Sequence, residues 1–416
     1  MKITDQIRSL TTSLKERSAT RKRLRGPADL HYAVADGIDM LDAAAWGTLA
    51  ARSGFFMSAD YLRTLERVLP SNLAPRYAMI FSGEGAERRP VAAMYMQIAD
   101  VSLGQARPEK AAGDKGNLDN LGQRILTCGN LLTFGQHGIA FADGVDMELA
   151  WHGVAEVLYR VRQADKLAGK THFIMIKDLH APYSDHAAHL ENLCYRYVET
   201  EPNMVLALEA GWKTYDDYLA SLASKYRTKV KNAIFKVLDD AGCSVEPFSD
   251  LGRARQQIHA LYKAVQVNAS FRPFELVPEY FAALEQVAGA RFRCTVVRQN
   301  GNLLGFLISV ADGDTAIAYH IGFDRAAAES LPIYLRLLHA GIADALALGC
   351  KQISYGRTAL EPKASLGAKP QPFGILVRHR QPVFNKLIKR VLLGVEHDEA
   401  PERSPFKKAA PQADAV

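Results

Sequence analysis

The same order of sequence elements occurs twice along this chain, which restricts the fold to a duplicated unit. The pattern YLRTLERV at 61–68 recurs as YFAALEQV at 280–287. Each copy is followed by an Arg-aromatic pair, an apolar strand, a glycine-containing turn and a second apolar strand. Further along, a helical pattern ends at Gly169 in the first half and at Gly349 in the second, and a strand follows each. The shared order of these elements predicts two copies of one folding unit.

Each half reads as a helix, a hairpin, a third strand, a second helix and a further strand. In the second half, "NG" and "DGD" join three apolar strands, as in antiparallel hairpins. Glycine after each helix suits a residue with positive φ. A helix is predicted to begin near Ser330, whose hydroxyl could cap it, with Pro332 in the first turn. The predicted fold class is α+β, with two tandem domains, each a mixed and mostly antiparallel sheet flanked by helices.

With 416 residues the chain is too long for one ordinary hydrophobic core, so we expect more than one domain. The extra residues of the first half fall in a Gly, Asp, Asn and Lys-rich stretch at 106–124, a predicted surface loop. The predicted organisation is a basic arm over 1–28, a first domain over 29–200, a second and catalytic domain over 201–385, and a basic helix end with a disordered tail over 386–416.

Composition and missing motifs exclude several classes of protein. Hydrophobic residues at 48% and charged residues at 23% are ordinary for a soluble chain, and no run approaches the ~18 apolar residues of a membrane span. Five scattered cysteines and twelve histidines without metal-ligand spacing predict neither disulfides nor a metal site. No secretory segment is apparent, so a cytoplasmic location is expected. Without a Walker loop, G-x-S-x-G or a dinucleotide fingerprint, NTPase, hydrolase and dehydrogenase readings lose support.

The positive charge of the chain lies at its N-terminus. Residues 1–25 carry eight basic and two acidic side chains, which accounts for the net charge of +6. Ile3, Ile7, Leu10 and Leu14 recur at helical spacing and would form a narrow apolar stripe between cations. This pattern suits an anionic membrane surface or a partner groove, and a solvated tail is the alternative. The basic amphipathic segment FNKLIKRVLL at 384–393 makes peripheral membrane association a matching hypothesis.

In its duplicated order the chain resembles the GNAT acyltransferases, and more closely the FemAB-like group with two such domains. Besides the duplication, the resemblance rests on the basic stretch SKYRTKVKNAIFKVLDDAG and on the closing YGRTALEPKASLGAKP. It covers roughly residues 30–385. It implies transfer of an acyl or aminoacyl group to an amine without a covalent enzyme intermediate.

The resemblance also implies where an acyl-CoA donor, as co-substrate, would bind. In GNAT relatives the donor pyrophosphate lies at the N-terminus of the helix after the third or fourth strand, where N–H groups favour anions. Here Ser330 and Leu331 would begin that helix, and Arg325 is the nearby cation. The usual Q/R-x-x-G-x-G/A loop is missing, so an aminoacyl-tRNA donor stays open as an alternative.

Three residues are candidates for catalysis because transfer to an amine needs a proton acceptor and hydrogen-bond donors. His320 is the better proton acceptor near neutral pH, and its neighbour Tyr319 is expected on the opposite face of the strand. Tyr355, at the end of KQISYG, could donate a hydrogen bond or a proton. The alternative for all three is a structural role in the core.

Candidate substrate-binding residues follow the same strand and a proline-containing loop. Gly356 would permit a sharp turn that delivers Arg357, Thr358 and Lys363 to the edge of the sheet. Arg357 could bind a carboxylate or phosphate, and Lys363 could present a point charge, unless they tie the loop or stay solvated. In similar enzymes the segment between the first two helices helps line the acceptor site.

That similarity makes Asn268, Phe271 and Arg272 acceptor-side candidates. The lysines of the helix SLASKYRTKVKNAIFKVL could contact tRNA or lipid phosphates, although a solvated face is the simpler reading.

Two hypotheses from different classes follow. The first is a cytoplasmic N-acyltransferase acting on a small-molecule or lipid-linked amine acceptor, held near an anionic membrane by residues 1–25, with acyl-CoA or aminoacyl-tRNA as donor. The second is a non-catalytic GNAT-fold protein that binds an anionic lipid or a cell-wall precursor.

Overall fold

The computed structural model describes residues 26–102, 122–267 and 273–393, together with positions 15, 18–20, 22–24, 401 and 403–407. The strands are β1 (His31–Ala35), β2 (Leu73–Ser82), β3 (Arg89–Ser102), β4 (Gly122–Cys128), β5 (Ile139–Phe141), β6 (Phe173–Leu179), β7 (Arg196–Ala207), β8 (Cys243–Phe248), β9 (Phe292–Gln299), β10 (Asn302–Asp312), β11 (Thr315–Phe323), β12 (Gln352–Ser354) and β13 (Lys369–His379).

Helices cover both faces of these strands. They are α1 (Ala43–Ala50), α2 (Ala59–Val68), α3 (Met147–Ala164), α4 (Tyr183–Ala187), α5 (Tyr215–Ser221), α6 (Ser224–Val230), α7 (Lys236–Asp240), α8 (Arg255–Gln266), α9 (Glu279–Ala288), α10 (Arg325–Ala328), α11 (Ile333–Ala347), α12 (Leu360–Ser365) and α13 (Pro382–Leu393). A π-helical segment, Lys231–Phe235, joins α6 to α7.

The strands form one continuous sheet in the order β1-β2-β3-β4-β6-β13-β7-β12-β11-β10-β9-β8, with β5 beside β3. Among the described strands, only β4 with β6 and β11 with β12 pair in parallel. The first repeat comprises β1 to β7 and the second β8 to β13, and the two repeats contain corresponding strands and helices in the same order. The predicted α+β class, with two tandem domains and a mostly antiparallel mixed sheet, is confirmed.

The last strands of the two repeats are exchanged. β13, from the end of the second repeat, lies between β6 and β7 and pairs antiparallel with both. In turn β7, from the end of the first repeat, pairs with β12 of the second. The two sheets are therefore joined by hydrogen bonds as well as by a shared hydrophobic core that contains residues of both repeats.

The repeated motif at 61–68 and 280–287 has the same structural role in each half. The Glu66 carboxylate accepts a hydrogen bond from the Ile38 amide at 2.8 Å, and that of Glu285 accepts from Leu251 at 2.8 Å. Each glutamate thus ties its helix to the segment that follows the first strand of its repeat. The tyrosines that open the two motifs meet near the middle of the molecule, as described below.

Two predictions about helix ends have different outcomes. Gly169 and Gly349 both have positive φ, at +156° and +71°, as expected. The predicted start near Ser330 is wrong, because α11 begins at Ile333. The short helix α10, capped by Asp324, ends just before, and the Ser330 hydroxyl donates to the Ala327 carbonyl at 3.4 Å instead of capping α11.

Several predictions fall on residues outside the described part of the chain. They concern most of the basic arm at 1–25, most of the loop at 106–124, the acceptor-side candidates Asn268, Phe271 and Arg272, and the tail from 408 onwards.

Candidate functional site

Strands β11 and β12 separate after a short parallel contact. Their register ends at Ile317 opposite Ser354. Beyond Ser354 the chain stays with β7, since the Tyr355 amide donates to the Met204 carbonyl at 2.9 Å and Gly356 accepts from the Met204 amide at 3.1 Å. β11 instead continues beside β10 as far as Phe323. We call the space between the end of β11 and residues 355–358 the wedge, and α11 packs on one side of it.

A β-bulge on β11 sets the positions of two predicted catalytic residues. His320 pairs with Ile308 and Ala318 with Ser309, so that Tyr319 is an extra residue on this strand. The rings of Tyr319 and His320 consequently lie 4.1 Å apart between centroids. The expectation that they point to opposite faces is wrong, because a bulge interrupts the alternation of side chains.

Tyr319 belongs to a buried hydroxyl network that links the repeats. Its hydroxyl lies 3.1 Å from that of Tyr61 and accepts from that of Tyr280 at 2.8 Å. Asn130, from the loop after β4, donates to the Tyr61 hydroxyl at 3.1 Å. Burial raises the pKa of Tyr319 well above its ordinary value. The two motif tyrosines thus meet one strand residue of the second repeat.

His320 lies among aromatic rings, those of Tyr262, Tyr280 and Phe281, with centroid separations of 5.4–6.3 Å. Burial lowers its pKa to about 3, so the ring is neutral at physiological pH. Its Nε2 atom is 3.4 Å from the Tyr280 hydroxyl. A proton-accepting role for His320 stays a prediction, although a base with so low a pKa is poorly matched to neutral pH.

Tyr355 lies buried at the point where β12 leaves β11. Its hydroxyl donates to the carbonyl of Leu338 in α11 at 2.8 Å, and burial raises its pKa well above the ordinary value. This bond holds α11 against the wedge. The candidates for donor binding, Ser330 and Leu331, lie in the connection between α10 and α11, just before the observed helix start, and Arg325 begins α10.

The turn after Gly356 is held by a buried ion cluster. Gly356 has φ of +72°, as predicted. Thr358 and Ala359, further along the turn, also have a left-handed backbone conformation. The Arg357 guanidinium and the Lys177 ammonium both pair with the Asp178 carboxylate, whose residue is fully buried. Burial opposes ionisation of Asp178, but the two cations hold its pKa below the ordinary value. Arg357 is thereby tied to the first repeat.

Lys363 is buried beneath the same turn. Its ammonium group donates to the Arg357 carbonyl at 2.6 Å and to that of Gly356 at 3.2 Å. Burial lowers its pKa to about 7. The side chain therefore supports the turn from inside, whereas Thr358 is exposed at its tip. Substrate binding by Arg357, Thr358 and Lys363 stays a prediction.

A second opening, which we call the junction cavity, lies between the repeats. Its volume is about 340 Å³, and Ile317 and Ser354, the last paired residues of β11 and β12, are part of its lining. Its other walls come from both repeats and include His137, His180, Asn203, Asp312, Gln136, Gln352 and Gln371. Ile317 and Ser354, which end the strand pairing, therefore border both the junction cavity and the wedge.

Polar groups of the junction cavity are only partly satisfied. The His137 ring joins the repeats, with Nε2 3.1 Å from the Asp312 carboxylate and Nδ1 3.0 Å from the Thr133 hydroxyl. By contrast, the buried atoms Nδ1 of His180 and Nε2 of Gln136 have no hydrogen-bond partner among the described residues. Buried polar atoms without partners are rare in folded proteins, so the cavity has free capacity for a polar ligand.

Sequence reasoning missed the first repeat's share of this site. Asp178 is the second-last residue of the apolar strand β6, and His137 lies in the glycine-rich loop CGNLLTFGQHG after β4, so neither stands out as a site residue in the sequence. The glycine-rich setting of CGNLLTFGQHG was the available signal, since it marks an irregular loop after a strand. Within the described ranges no group of three metal-ligating side chains occurs, and no helix there is long and apolar enough to span a membrane.

Comparisons with known proteins agree with this architecture. Residues 224–364 match the family model of an acetyltransferase (GNAT) domain. The crystal structure of FemX superposes with a TM-score of 0.50 and 11% identity, covering 84% of this chain and 98% of FemX. A tandem GNAT protein from the clavulanic acid biosynthesis pathway has a TM-score of 0.49 and 12% identity, covering 85% and 99%.

A further structure of lower similarity is the C-terminal domain of a putative lysylphosphatidylglycerol synthetase from Agrobacterium fabrum, with a TM-score of 0.46, 12% identity and coverage of 84% and 96%. The search of curated protein sequences found no match. At such identities a structural likeness shows the fold, while the family model identifies the domain. Residues 224–364 are therefore a GNAT domain, and the chain as a whole has a fold similar to that of FemX.

Proposed function

We propose that this protein is an N-acyltransferase that moves an acyl group from an activated donor in the wedge to an amine bound in the junction cavity. The observation that carries the proposal is the end of the β11–β12 pairing at Ile317 and Ser354, which border both spaces. A donor and an acceptor that enter from the two sides would meet there, and such positioning is a large part of catalysis of a bimolecular reaction.

The donor is proposed to bind along the free edge of β11. Among the described residues, β11 has a partner on the β12 side only for Thr315–Ile317, which leaves backbone N–H and C=O groups of its later residues at the wedge. An extended donor with amide groups can add to such an edge, and an N–H group there can stabilise a developing oxyanion. Acyl-CoA is the proposed donor, and aminoacyl-tRNA is the alternative.

The acceptor is proposed to be a small-molecule or lipid-linked amine. The junction cavity supports a polar acceptor through the unpartnered His180 and Gln136 atoms and through the Asp312 carboxylate, which favours a nearby cationic amine. The proposed setting is the cytoplasm, at a membrane surface. A non-catalytic binding role remains the competing proposal, which a transfer assay decides.

A thermal-shift titration tests the donor. We expect one of acetyl-CoA, long-chain acyl-CoA or aminoacyl-tRNA to raise the melting temperature with saturation, because a ligand that binds only the folded state stabilises it by mass action. Free CoA and deacylated tRNA serve as controls. If a saturable shift occurs without product formation from any amine offered, the non-catalytic reading is favoured; if no donor gives a shift, the wedge is not a donor site.

The acceptor side is tested by narrowing the cavity. Gln352 is exposed and lines the cavity, so Gln352→Trp should raise KM for the amine at least about tenfold by steric exclusion while leaving the donor-induced thermal shift unchanged. Its exposed neighbour Lys351 does not line the cavity, and Lys351→Trp is the matched control. An equal rise in KM for both variants would place the acceptor elsewhere.

A further inference from the structure

A group of cations without carboxylate partners lies at the edge of the first repeat. Arg162 belongs to α3, and Lys166 and Lys170 follow that helix. Arg378 lies near the end of β13, and Arg380 directly follows the strand. Within the described part of the chain none of these five forms an ion pair. We call them the basic edge. They lie close together, since Arg162, Lys166, Lys170 and Arg380 line one groove and Arg162 lines a second with Arg378.

The basic edge surrounds a groove with an unsatisfied hydroxyl. The groove has a volume of about 230 Å³, and its lining includes Arg162, Lys166, Lys170, Thr171 and Arg380. Thr171 is 5% exposed, and its Oγ1 atom has no hydrogen-bond partner among the described residues. A buried hydroxyl beside several cations is a suitable donor set for phosphate oxygens.

Apolar side chains are exposed around this groove. Leu167, between the two lysines, is fully exposed at 101%, and on α13 Val383, Phe384 and Leu387 are 69%, 54% and 41% exposed. The basic edge adjoins the exposed face of α13. The Arg380 amide donates to the His172 carbonyl at 2.9 Å, and the neighbouring His379 ring lies 5.3 Å from that of Phe384.

Nearby carboxylates do not neutralise the basic edge. Asp165 is buried and pairs with Arg76 and Arg124, which lie on β2 and β4. Glu156, nearly two turns before Arg162 on α3, is bound by Arg160 and by the Tyr32 hydroxyl at 2.9 Å. The positive charge of the edge therefore faces solvent without internal compensation.

The N-terminal arm enters the structure beside the same edge. Leu24 is 5% exposed and, with Ile174 and Tyr195, lines an apolar slot of about 250 Å³ that also includes Arg162 and Arg378. Both arginines make cation–π contacts. The Arg162 guanidinium lies 5.4 Å from the Tyr159 ring, and that of Arg378 lies 5.8 Å from the Tyr195 ring. The described end of the arm, at Leu24, therefore adjoins this surface.

We propose that the basic edge and the exposed apolar face of α13 together dock the protein on a bilayer of anionic phospholipid, with lipid phosphates in the groove. Charge complementarity selects a polyanion. The exposed leucine, valine and phenylalanine side chains favour a lipid bilayer over a nucleic acid. They would be buried in the lipid interface but would remain exposed to water on a nucleic acid. This inference does not depend on the transfer reaction.

Vesicle co-sedimentation with the full chain tests this surface. The probes are phosphatidylcholine vesicles with and without phosphatidylglycerol. The triple variant Lys166→Gln, Lys170→Gln and Arg380→Gln removes three exposed cations. It should bind the anionic vesicles roughly a hundredfold more weakly, because each basic residue near such a surface contributes a similar share of the binding free energy. The double variant Phe384→Ser and Leu387→Ser should weaken it about tenfold.

A matched control removes the same charge elsewhere. Lys225, Lys229 and Lys236 are exposed on the helical segment of the second repeat, and their triple Gln variant should bind anionic vesicles within about twofold of wild type. If both triple variants lose vesicle binding equally, binding depends on net charge alone and the proposed docking site is wrong. Absence of vesicle binding, with binding of a polyribonucleotide that only the basic-edge variant loses, would overturn it in favour of a nucleic-acid partner.

Discussion

Replacing Asp178 by asparagine is expected to lower the free energy of unfolding by about 3–5 kcal/mol, which is the usual cost of breaking a buried ion pair from one side. Asparagine keeps the size of the side chain and tolerates the left-handed backbone at this position, where φ is +55°. What it removes is the charge that compensates Lys177 and Arg357, so that two cations remain near one another in a site of low polarity.

Urea titration at neutral pH measures this loss, with Asp314→Asn as control. Asp314 also pairs with a lysine, Lys351, but both side chains are largely exposed, at 67% and 77%, and the control should cost less than about 1 kcal/mol. Similar losses for the two variants would mean that water reaches the Asp178 cluster and that it contributes little.

The stabilisation by Asp178, measured as the difference in free energy of unfolding between wild type and Asp178→Asn, should decrease in acid. Because Lys177 and Arg357 hold the folded-state pKa of Asp178 below its ordinary value, the carboxylate stabilises the fold above about pH 4 and loses this effect as the pH falls through the folded-state pKa. The difference between wild type and Asp178→Asn should therefore be constant between about pH 5 and 8 and shrink in acid.

Lys363 is expected to make the protein more stable in base than at neutral pH. Its folded-state pKa is about 7 against an ordinary value of 10.5, so between these values the unfolded chain binds a proton that the folded chain does not. Stability rises with pH wherever the unfolded state holds more protons. Relative to Lys363→Met, the wild type should gain up to about 3–4 kcal/mol between pH 7 and pH 10.

Methionine suits this comparison because it fills a similar volume and does not titrate. Other groups that titrate in this range, notably the buried tyrosines, are present in both proteins and cancel in the difference. A difference that stays flat from pH 7 to 10 would show that the lysine keeps its proton in the folded protein and is solvated. Such a result would restore Lys363 as a point charge available to substrate.

The repeated sequence elements predicted the fold because their periodicity is local. The helix of each YxxxLExV motif, the "NG" hairpin and the glycines at the helix ends are determined by residues a few positions apart, and all are found in the structure. The exchange of the last strands was not predictable in this way. Nothing within 369–379 identifies β6 as a partner of this strand, because β6 belongs to the first repeat and lies far away in the sequence.

The candidate site, like the strand exchange, depends on contacts between distant segments that local sequence patterns do not predict. Arg357 and Lys363 were found as unusual residues after a buried strand, but Asp178, which determines what Arg357 binds, lies 179 positions earlier. The bulge at Tyr319 is also a tertiary effect, since Tyr319 reaches hydroxyls from α2 and α9 only when the strand gains one residue. Pairings between distant segments therefore account for most of what sequence reasoning missed.

The position of β13 has a consequence for biosynthesis. The first repeat is translated nearly complete by residue 207, yet β6 and β7 are not neighbours in the finished sheet and await a strand that ends at residue 379. Until that strand emerges from the ribosome, the nascent chain carries two open strand edges, which are sites for pairing with other chains. A chain that ends before residue 369 would therefore keep these edges of β6 and β7 unpaired, and we expect it to aggregate more readily than the full chain.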